Sequence, residues 1–314
     1  MIPHTGIDLL LKTCDVEINT NARALTGPEL LAKVKGYDGV IGVLTDRIDA
    51  EFFDAAKIIK GYANFAVGFD NIDVAEATRR KIPVSNTPDV LTEATAEMAW
   101  ALLFAVARRV TETERIMRAG QWPGWDPLQF IGADVGGKTL GIVGAGRIGT
   151  SMALKSRGFN MPVLYCSPSP NPTLEKEVGA RRVALAELLM KSDFISIHVP
   201  LTPETHHMFN ADTFEKMKST AYLINTARGP IIHEAELVEA LTNGKIAGAA
   251  LDVYEFEPKM VAGLAELENA VTVPHVGSAT PSAREGMSEL AARNLIAMLQ
   301  GAPGPSCLNP EVFG

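Results

Sequence analysis

The stretch GIVGAGRIG, Gly141 to Gly149, confines this 314-residue chain more tightly than any other. An apolar run leads into Gly144-Ala145-Gly146-Arg147-Ile148-Gly149, and a helical pattern follows. In that setting each glycine has a task. Gly144 permits a tight turn, Gly146 lets the main chain approach a pyrophosphate, and Gly149 lets the helix lie close on the strand. The helix N-terminus then presents free N–H groups and a positive dipole end to the phosphates. The segment therefore predicts a dinucleotide bound at the end of a parallel strand.

The surrounding pattern agrees. Short apolar runs recur at TLGIV (139–143), PVLYC (162–166), DFISIH (193–198), AYLIN (221–225), AGAALDV (247–253) and AVTVP (270–274), with helical spacing between most of them. EAELVEALTNG is one such helix, with Gly244 as its stop. Strands alternating with helices predict a parallel sheet covered on both faces. The first ninety residues repeat the alternation more loosely, with a helix at ELLAKVKG, a strand at GVIGVL (39–44) and a turn closing KIPVSNTP (81–88). Two long helical stretches, 92–120 and 280–299, flank the central part. The second carries Met287, Leu290, Ala291, Leu295 and Met298 on one face and returns the chain to the first domain. The expectation is an α/β protein of two Rossmann-like parallel-sheet domains with a cleft between them. Residues 1–92 plus 282–314 form a discontinuous substrate domain, and 93–281 the dinucleotide-binding domain.

Composition narrows the function. A net charge of −8 argues against a nucleic-acid binder. The basic clusters Arg79-Arg80-Lys81, Arg108-Arg109 and Arg181-Arg182 read as solvated helix ends. Cys14, Cys166 and Cys307 are isolated, which fits a reducing compartment and no structural zinc. The adjacent His206-His207 pair does not share a helix face, so no metal is expected there. The N-terminus lacks the pattern of a secretion signal, and the longest apolar run, Met98 to Ala107, reads as a buried helix rather than a membrane span. A cytoplasmic enzyme with no membrane partner is expected.

In a parallel sheet, ligands bind beyond the carboxyl ends of the strands. Three reactive side chains follow strand ends here: Arg228 after AYLIN, Glu257 after AGAALDV and His275 after AVTVP. Glu255, two residues before Glu257, competes for its role. An arginine holds a carboxylate through paired hydrogen bonds. A histidine delivers a proton to a carbonyl oxygen, and a nearby carboxylate orients the ring and favours its protonated form. With a nicotinamide as hydride source, the set describes reversible reduction of a 2-oxo acid to a 2-hydroxy acid.

At this point the chain resembles a known family. The glycine loop, NTARGP (225–230), LDVYEFEP (251–258), PHVGSAT (274–280), ANFAVGFDNID (63–73) and NTPDVLTEATAE (86–97) resemble the D-isomer-specific 2-hydroxyacid dehydrogenases over nearly the whole chain. Within them the chain looks most like the glyoxylate/hydroxypyruvate reductases. The resemblance implies that Arg228 binds substrate, that His275 is the proton donor with Glu257 as its partner, and that Asp252 contacts the nicotinamide amide. It places Arg147, Ile148, Pro200, Thr226, Ala227 and Gly277 at the cofactor as well, and the N–H groups of Val67 and Gly68 at the substrate carboxylate. Trp125, in QWPGWDP, matches a tryptophan that closes the pocket from the partner subunit of a homodimer; plain packing at a dimer interface is the alternative.

There are two departures. Relatives start with a strand before the segment matching IPHTGIDLLLK, so the small domain is expected to lack its first strand. Asp89 stands where many relatives have Gly.

The cofactor question turns on Ser167. An acidic residue is usual at this place, about 20 residues past the loop, where it holds the ribose of NAD and repels the extra phosphate of NADP. Ser167 removes that repulsion, and Ser167 and Ser169 can donate to a phosphate, but SPSPN contains no cation. Arg147 and Arg181 are the candidates to supply one. The expectation is NADP or NAD, leaning to NADP. Two alternatives stand beside the reductase: a dinucleotide-sensing partner protein without turnover, and a family dehydrogenase of another small acid. Glu257 speaks against formate, where relatives carry Gln, and AVGFDNID offers few cations for a phosphoglycerate.

Overall fold

Four-residue apolar segments make most of the strands, because a strand buried on both faces has no polar alternation to keep. The computed structural model describes residues 1–21 and 23–314. The chain forms two units, Met1–Leu91 with Ser278–Gly314, and Thr92–Gly277.

The first unit runs α1 (His4–Leu10), α2 (Gly27–Lys33), β1 (Gly39–Gly42), α3 (Ala50–Ala55), β2 (Gly61–Asn64), α4 (Val74–Arg79) and β3 (Val84–Ser85). Its sheet is parallel in the order β1-β2-β3, and no strand precedes α1 among the described residues. The edge at β3 is covered by the C-terminal tail: Leu308 N–H donates to the Val84 carbonyl at 2.8 Å, and Val84 N–H donates to Asn309 Oδ1 at 2.9 Å. Such covering removes an exposed strand edge. The sheet gains a strand, β2, that sequence periodicity did not mark.

The second unit runs α5 (Thr92–Ala107), α6 (Val110–Arg118), β4 (Leu140–Val143), α7 (Arg147–Lys155), β5 (Val163–Cys166), α8 (Pro172–Val178), β6 (Arg181–Arg182), α9 (Leu185–Lys191), β7 (Phe194–Ile197), α10 (Ala211–Phe214), β8 (Tyr222–Asn225), α11 (Glu234–Thr242), β9 (Gly248–Leu251) and β10 (Ala270–Thr272). The chain then returns to the first unit in α12 (Pro281–Leu299), capped by Thr280, whose hydroxyl accepts from Ala283 N–H. Met287, Ala291, Leu295 and Met298 are buried there, while Leu290 is half-buried.

The seven-stranded sheet is wholly parallel, ordered β10-β9-β8-β7-β4-β5-β6. Chain order reverses at β4, where β5 lies on one side and β7 on the other. Alternate side chains feed two cores. Leu140, Ile142, Val163 and Tyr165 pack with Trp100 and Leu103 of α5, while Val143, Leu164, Ile195 and Ile197 pack with Leu188 and Leu237 on the other face.

Two expectations need correction. The 92–120 stretch is not one helix: Arg109 takes a left-handed conformation (φ 54°), and the Ala107 carbonyl accepts from Ala133 N–H. The helix restarts at α6, where Arg109 forks onto Glu112 at 2.7 Å. Arg181-Arg182 is not a helix end but the edge strand β6. No helix among the described residues is long and apolar enough to cross a membrane.

Asp193 ties three strands together at their starts. Its carboxylate accepts from Thr139 N–H at 2.8 Å and Lys218 Nζ at 2.7 Å, and its carbonyl accepts from Tyr222 N–H at 2.9 Å. Burial alone would raise this carboxyl, but Lys218 and the Thr139 N–H outweigh it and hold it below its ordinary value. A carboxyl more acidic in the native than the unfolded chain contributes stability above its unfolded pKa, and loses it as pH falls through the native one. Asp193→Asn should cost about 1 kcal/mol at neutral pH, discounted for partial solvent screening. Urea unfolding should show the gap to the parent closing as pH falls below the ordinary aspartate range.

Candidate active site

The strand registers set the site. Val143 pairs with Cys166 and with Ile197, Ile197 with Asn225, Asn225 with Leu251, and Leu251 with Thr272. Six strands thus end level, and the segments after them emerge along one edge. They carry the glycine loop, Ser167, His198 to Pro200, Thr226 to Arg228, Asp252 to Glu257, and His275.

The glycine loop follows β4, where the chain order reverses, and opens α7. Gly144 has φ 96°, and a Cβ there would lie 2.7 Å from the His198 carbonyl. A Cβ on Gly149 would land on the Gly144 carbonyl oxygen, so the helix approaches the turn as closely as glycine allows. Gly146, the residue capping α7, faces open space. Arg147 and Ile148 form the first turn of that helix. Thr226 Oγ1, buried just past β8, has no hydrogen-bond partner among the described residues. A cradle open at Gly146, a helix N-terminus and an unpartnered buried hydroxyl along the same strand edge fit a dinucleotide. Pro200 closes the segment after β7, and its carbonyl accepts from Thr205. His198 is half-buried beside the glycine turn, where desolvation of the ring pushes its imidazole down to about 3, so it stays neutral and bonds Ser196 at 2.8 Å.

Arg228 is presented by an amide-built turn. Asn225 Oδ1 accepts from Ala227 N–H at 3.0 Å, and Asn225 Nδ2 donates to the Arg228 carbonyl at 2.9 Å. His275 sits in a left-handed conformation (φ 51°). Such a backbone is uncommon outside glycine and persists where surrounding contacts fix it. The fixing group is Asp252, fully buried after β9, whose two oxygens accept from Val276 N–H at 2.6 Å and Gly277 N–H at 2.7 Å.

Glu257, not Glu255, meets the histidine. Its Oε2 lies 2.9 Å from His275 Nδ1, and its Oε1 accepts from Tyr254 N–H at 3.0 Å. Burial would raise the Glu257 carboxyl, but the His275 bond and the charges of His275 and Arg228 hold it below its ordinary value. The same carboxylate thus lies within reach of both His275 and Arg228. Glu255 points elsewhere: its Oε1 is 2.6 Å from His207 Nε2, and its Oε2 accepts from Glu234 N–H at 3.0 Å. Sequence reading missed the structural parts played by Asn225, His207 and Glu255. A polar residue at the end of a buried strand was the available signal for Asn225.

Four other predicted residues stand as follows. In the first unit, the carbonyls of Val67 and Gly68 accept from Asn86 and Asn64, and neither N–H has a partner among the described residues. Trp125 is 81% exposed, and Met117, Trp122, Leu128 and Ile131 in the same stretch of chain are exposed too. Ser167 follows β5. Arg181 does not reach it, being paired to Glu187 at 2.9 Å; the cation at Ser167 is Arg182, whose Nε donates to the Ser167 carbonyl at 3.0 Å. Asp89 is left-handed (φ 69°), a conformation that Asp tolerates better than most residues and that glycine adopts without strain.

Comparison with known proteins agrees with this geometry. The NAD binding domain of the D-isomer specific 2-hydroxyacid dehydrogenases matches residues 100–277. The glyoxylate reductases of Thermococcus onnurineus and Thermococcus kodakarensis are each 50% identical over 99% of this chain and 95% of their own. A solved protein of Thermus thermophilus superposes with a TM-score of 0.92 at 43% identity, covering 98% of this chain and 97% of that one. The NADPH-dependent glyoxylate/hydroxypyruvate reductase of Sinorhizobium meliloti, solved with NADP and malonate, superposes with a TM-score of 0.86 at 31% identity, covering 99% and 95%. A doubly wound dinucleotide fold with an arginine, a glutamate and a histidine gathered along one strand edge defines an oxidoreductase. The chain belongs to the D-isomer specific 2-hydroxyacid dehydrogenases and is an NAD(P)-dependent reductase of small 2-oxo acids.

The loops bearing Arg228 and Glu257 touch at Gly229, where a Cβ would land on the Tyr254 carbonyl. Gly229→Ala should force them apart. Steady-state kinetics should show kcat falling about 100-fold. Calorimetric titration should show ADP-ribose affinity unchanged within a few-fold.

Proposed function

We propose that this protein reduces glyoxylate and hydroxypyruvate to their 2-hydroxy acids, with D specificity, using NADPH or NADH. The observation that carries the reading is the His275–Glu257 pair at 2.9 Å, with the charge of Arg228 bearing on the same carboxylate. The names of the relatives at 50% identity point the same way.

The roles follow from the bonding. When bound, the reduced nicotinamide supplies the hydride that reaches the carbonyl carbon. Arg228 holds the substrate carboxylate and polarises the adjoining carbonyl. His275 has Nδ1 committed to Glu257, so Nε2 carries the proton that passes to the carbonyl oxygen as the new alcohol forms. Glu257, anionic because its two neighbouring cations favour that form, steadies the imidazolium before transfer. Asp252 acts as a positioning residue, holding the turn after His275 through two main-chain N–H groups. It contacts the nicotinamide amide in the same reading. The paired N–H groups of Val67 and Gly68 are free to take the substrate carboxylate. Gly144, Gly146, Arg147, Ile148, Ser167, Pro200, Thr226, Ala227 and Gly277 line the cofactor. The exposed apolar side chains of Trp125 and its sequence neighbours Trp122, Leu128 and Ile131 support a homodimer in which this tryptophan closes the partner's pocket. The three free cysteines fit the cytoplasm.

Initial rates at the nicotinamide absorbance band, with both acids and both cofactors, test the reading. Turnover of glyoxylate and hydroxypyruvate is expected. Arg228→Ala should lower kcat/KM about 1000-fold through loss of the carboxylate fork. Glu257→Gln should lower kcat about 10- to 100-fold, with cofactor affinity kept. Folded protein that turns over neither acid with either cofactor would end the assignment.

A further inference from the structure

The edge strand β6 raises a question that the catalytic residues leave open: which group senses the 2′ position of the adenosine ribose. The answer rests on the reading above, that the glycine loop takes a nicotinamide dinucleotide. In the parallel pairing of β5 and β6, Arg182 stands opposite Tyr165, one residue short of the end of β5. Successive residues of a strand point to opposite faces. Arg181 accordingly pairs with Glu187 of α9 at 2.9 Å, while Arg182 turns to the segment that follows β5. There Arg182 Nε donates to the Ser167 carbonyl at 3.0 Å, and Nη2 donates to the Pro168 carbonyl.

A guanidinium has five N–H donors, and these contacts use two. Both acceptors are neutral carbonyls, so the charge of Arg182 is not cancelled by them. The full positive charge is therefore pinned to the main chain of the residue that stands where an acidic side chain usually holds the ribose. That residue is Ser167, which brings no opposing negative charge and adds a hydroxyl donor.

We propose that Arg182 recognises the 2′-phosphate of NADP(H), and that this chain prefers the phosphorylated dinucleotide for that reason. The cation comes from the neighbouring strand rather than from the SPSPN segment. Anchoring by two carbonyls restricts the side chain before any ligand arrives, so less rotamer entropy is lost on binding.

The test uses calorimetric titration with 2′-phospho-ADP-ribose and ADP-ribose, neither of which carries a nicotinamide or undergoes turnover. The parent protein should bind the phosphorylated probe about 30-fold more tightly at low salt, with the ratio shrinking as salt rises. Arg182→Met should remove that advantage and leave ADP-ribose affinity within about two-fold. Arg182→Gln retains donors for the two carbonyls and removes the charge; it should show the same selective loss. Thermal unfolding checks that both variants are folded. Equal weakening of both probes, or a parent that favours ADP-ribose, would overturn the assignment of Arg182 while leaving the dinucleotide reading intact. A folded parent that binds neither probe would overturn both.

Discussion

A parallel sheet leaves the carboxyl ends of its strands at one edge, and the rest of this protein depends on those ends being level. The ladders from Cys166 across Val143, Ile197, Asn225 and Leu251 to Thr272 run without a register shift. A slip of one residue in any of them would invert the faces on which side chains point. It would also draw one loop back by a strand step of about 3.3 Å, more than a hydrogen bond's tolerance. The two cores hold the register, because Ile142 and Val143 or Ile195 and Ser196 cannot exchange faces without burying the wrong volume. Packing far from the chemistry thus fixes the spacing of Arg228, Glu257 and His275.

Above the strand ends, polar groups take over from apolar packing. Asn225, Asp252 and Glu257 each accept main-chain N–H groups in the loop they belong to or the next one. Glu255 does the same for the start of α11. A buried carboxylate such as that of Asp252 is costly without donors, so it holds its loop in the conformation that satisfies it. This explains how His275 keeps a left-handed backbone. The strain is opposed by two charge-assisted bonds from Asp252 to the residues that follow it, each stronger than a neutral bond. A soft loop would let the imidazole swing; this one fixes Nδ1 on Glu257.

Much of this was legible in the sequence, for identifiable reasons. The glycine loop, six of the seven strands in the dinucleotide unit, and Arg228, Glu257 and His275 as strand-end residues all stood out, because apolar runs and strand-end side chains are local signals. What stayed hidden was non-local. β2 (GYAN) has no apolar run, yet it is wholly buried because α12 packs against it from the far end of the chain. β6 is two arginines, and only pairing with β5 makes it a strand. The break between α5 and α6 depends on Ala133, 26 residues past the carbonyl it satisfies. Glu255 and Glu257 are alike in sequence, and their division of labour is set by His207 and His275, which lie on other loops.

Arg182 belongs to this hidden group, and its position has a chemical consequence. A cation placed directly after β5 would share the mobility of that loop. One reaching across from β6 is tied to the sheet by the ladder and to the loop by two carbonyls, so it couples the loop's shape to the edge strand. The edge strand is otherwise short and exposed, with little apolar surface to hold it in place. The bonds from Arg182 to Ser167 and Pro168 therefore brace the strand while they aim the charge. One side chain stabilises an element that packing alone leaves weak, and the same bonds set where the proposed 2′-phosphate contact would lie.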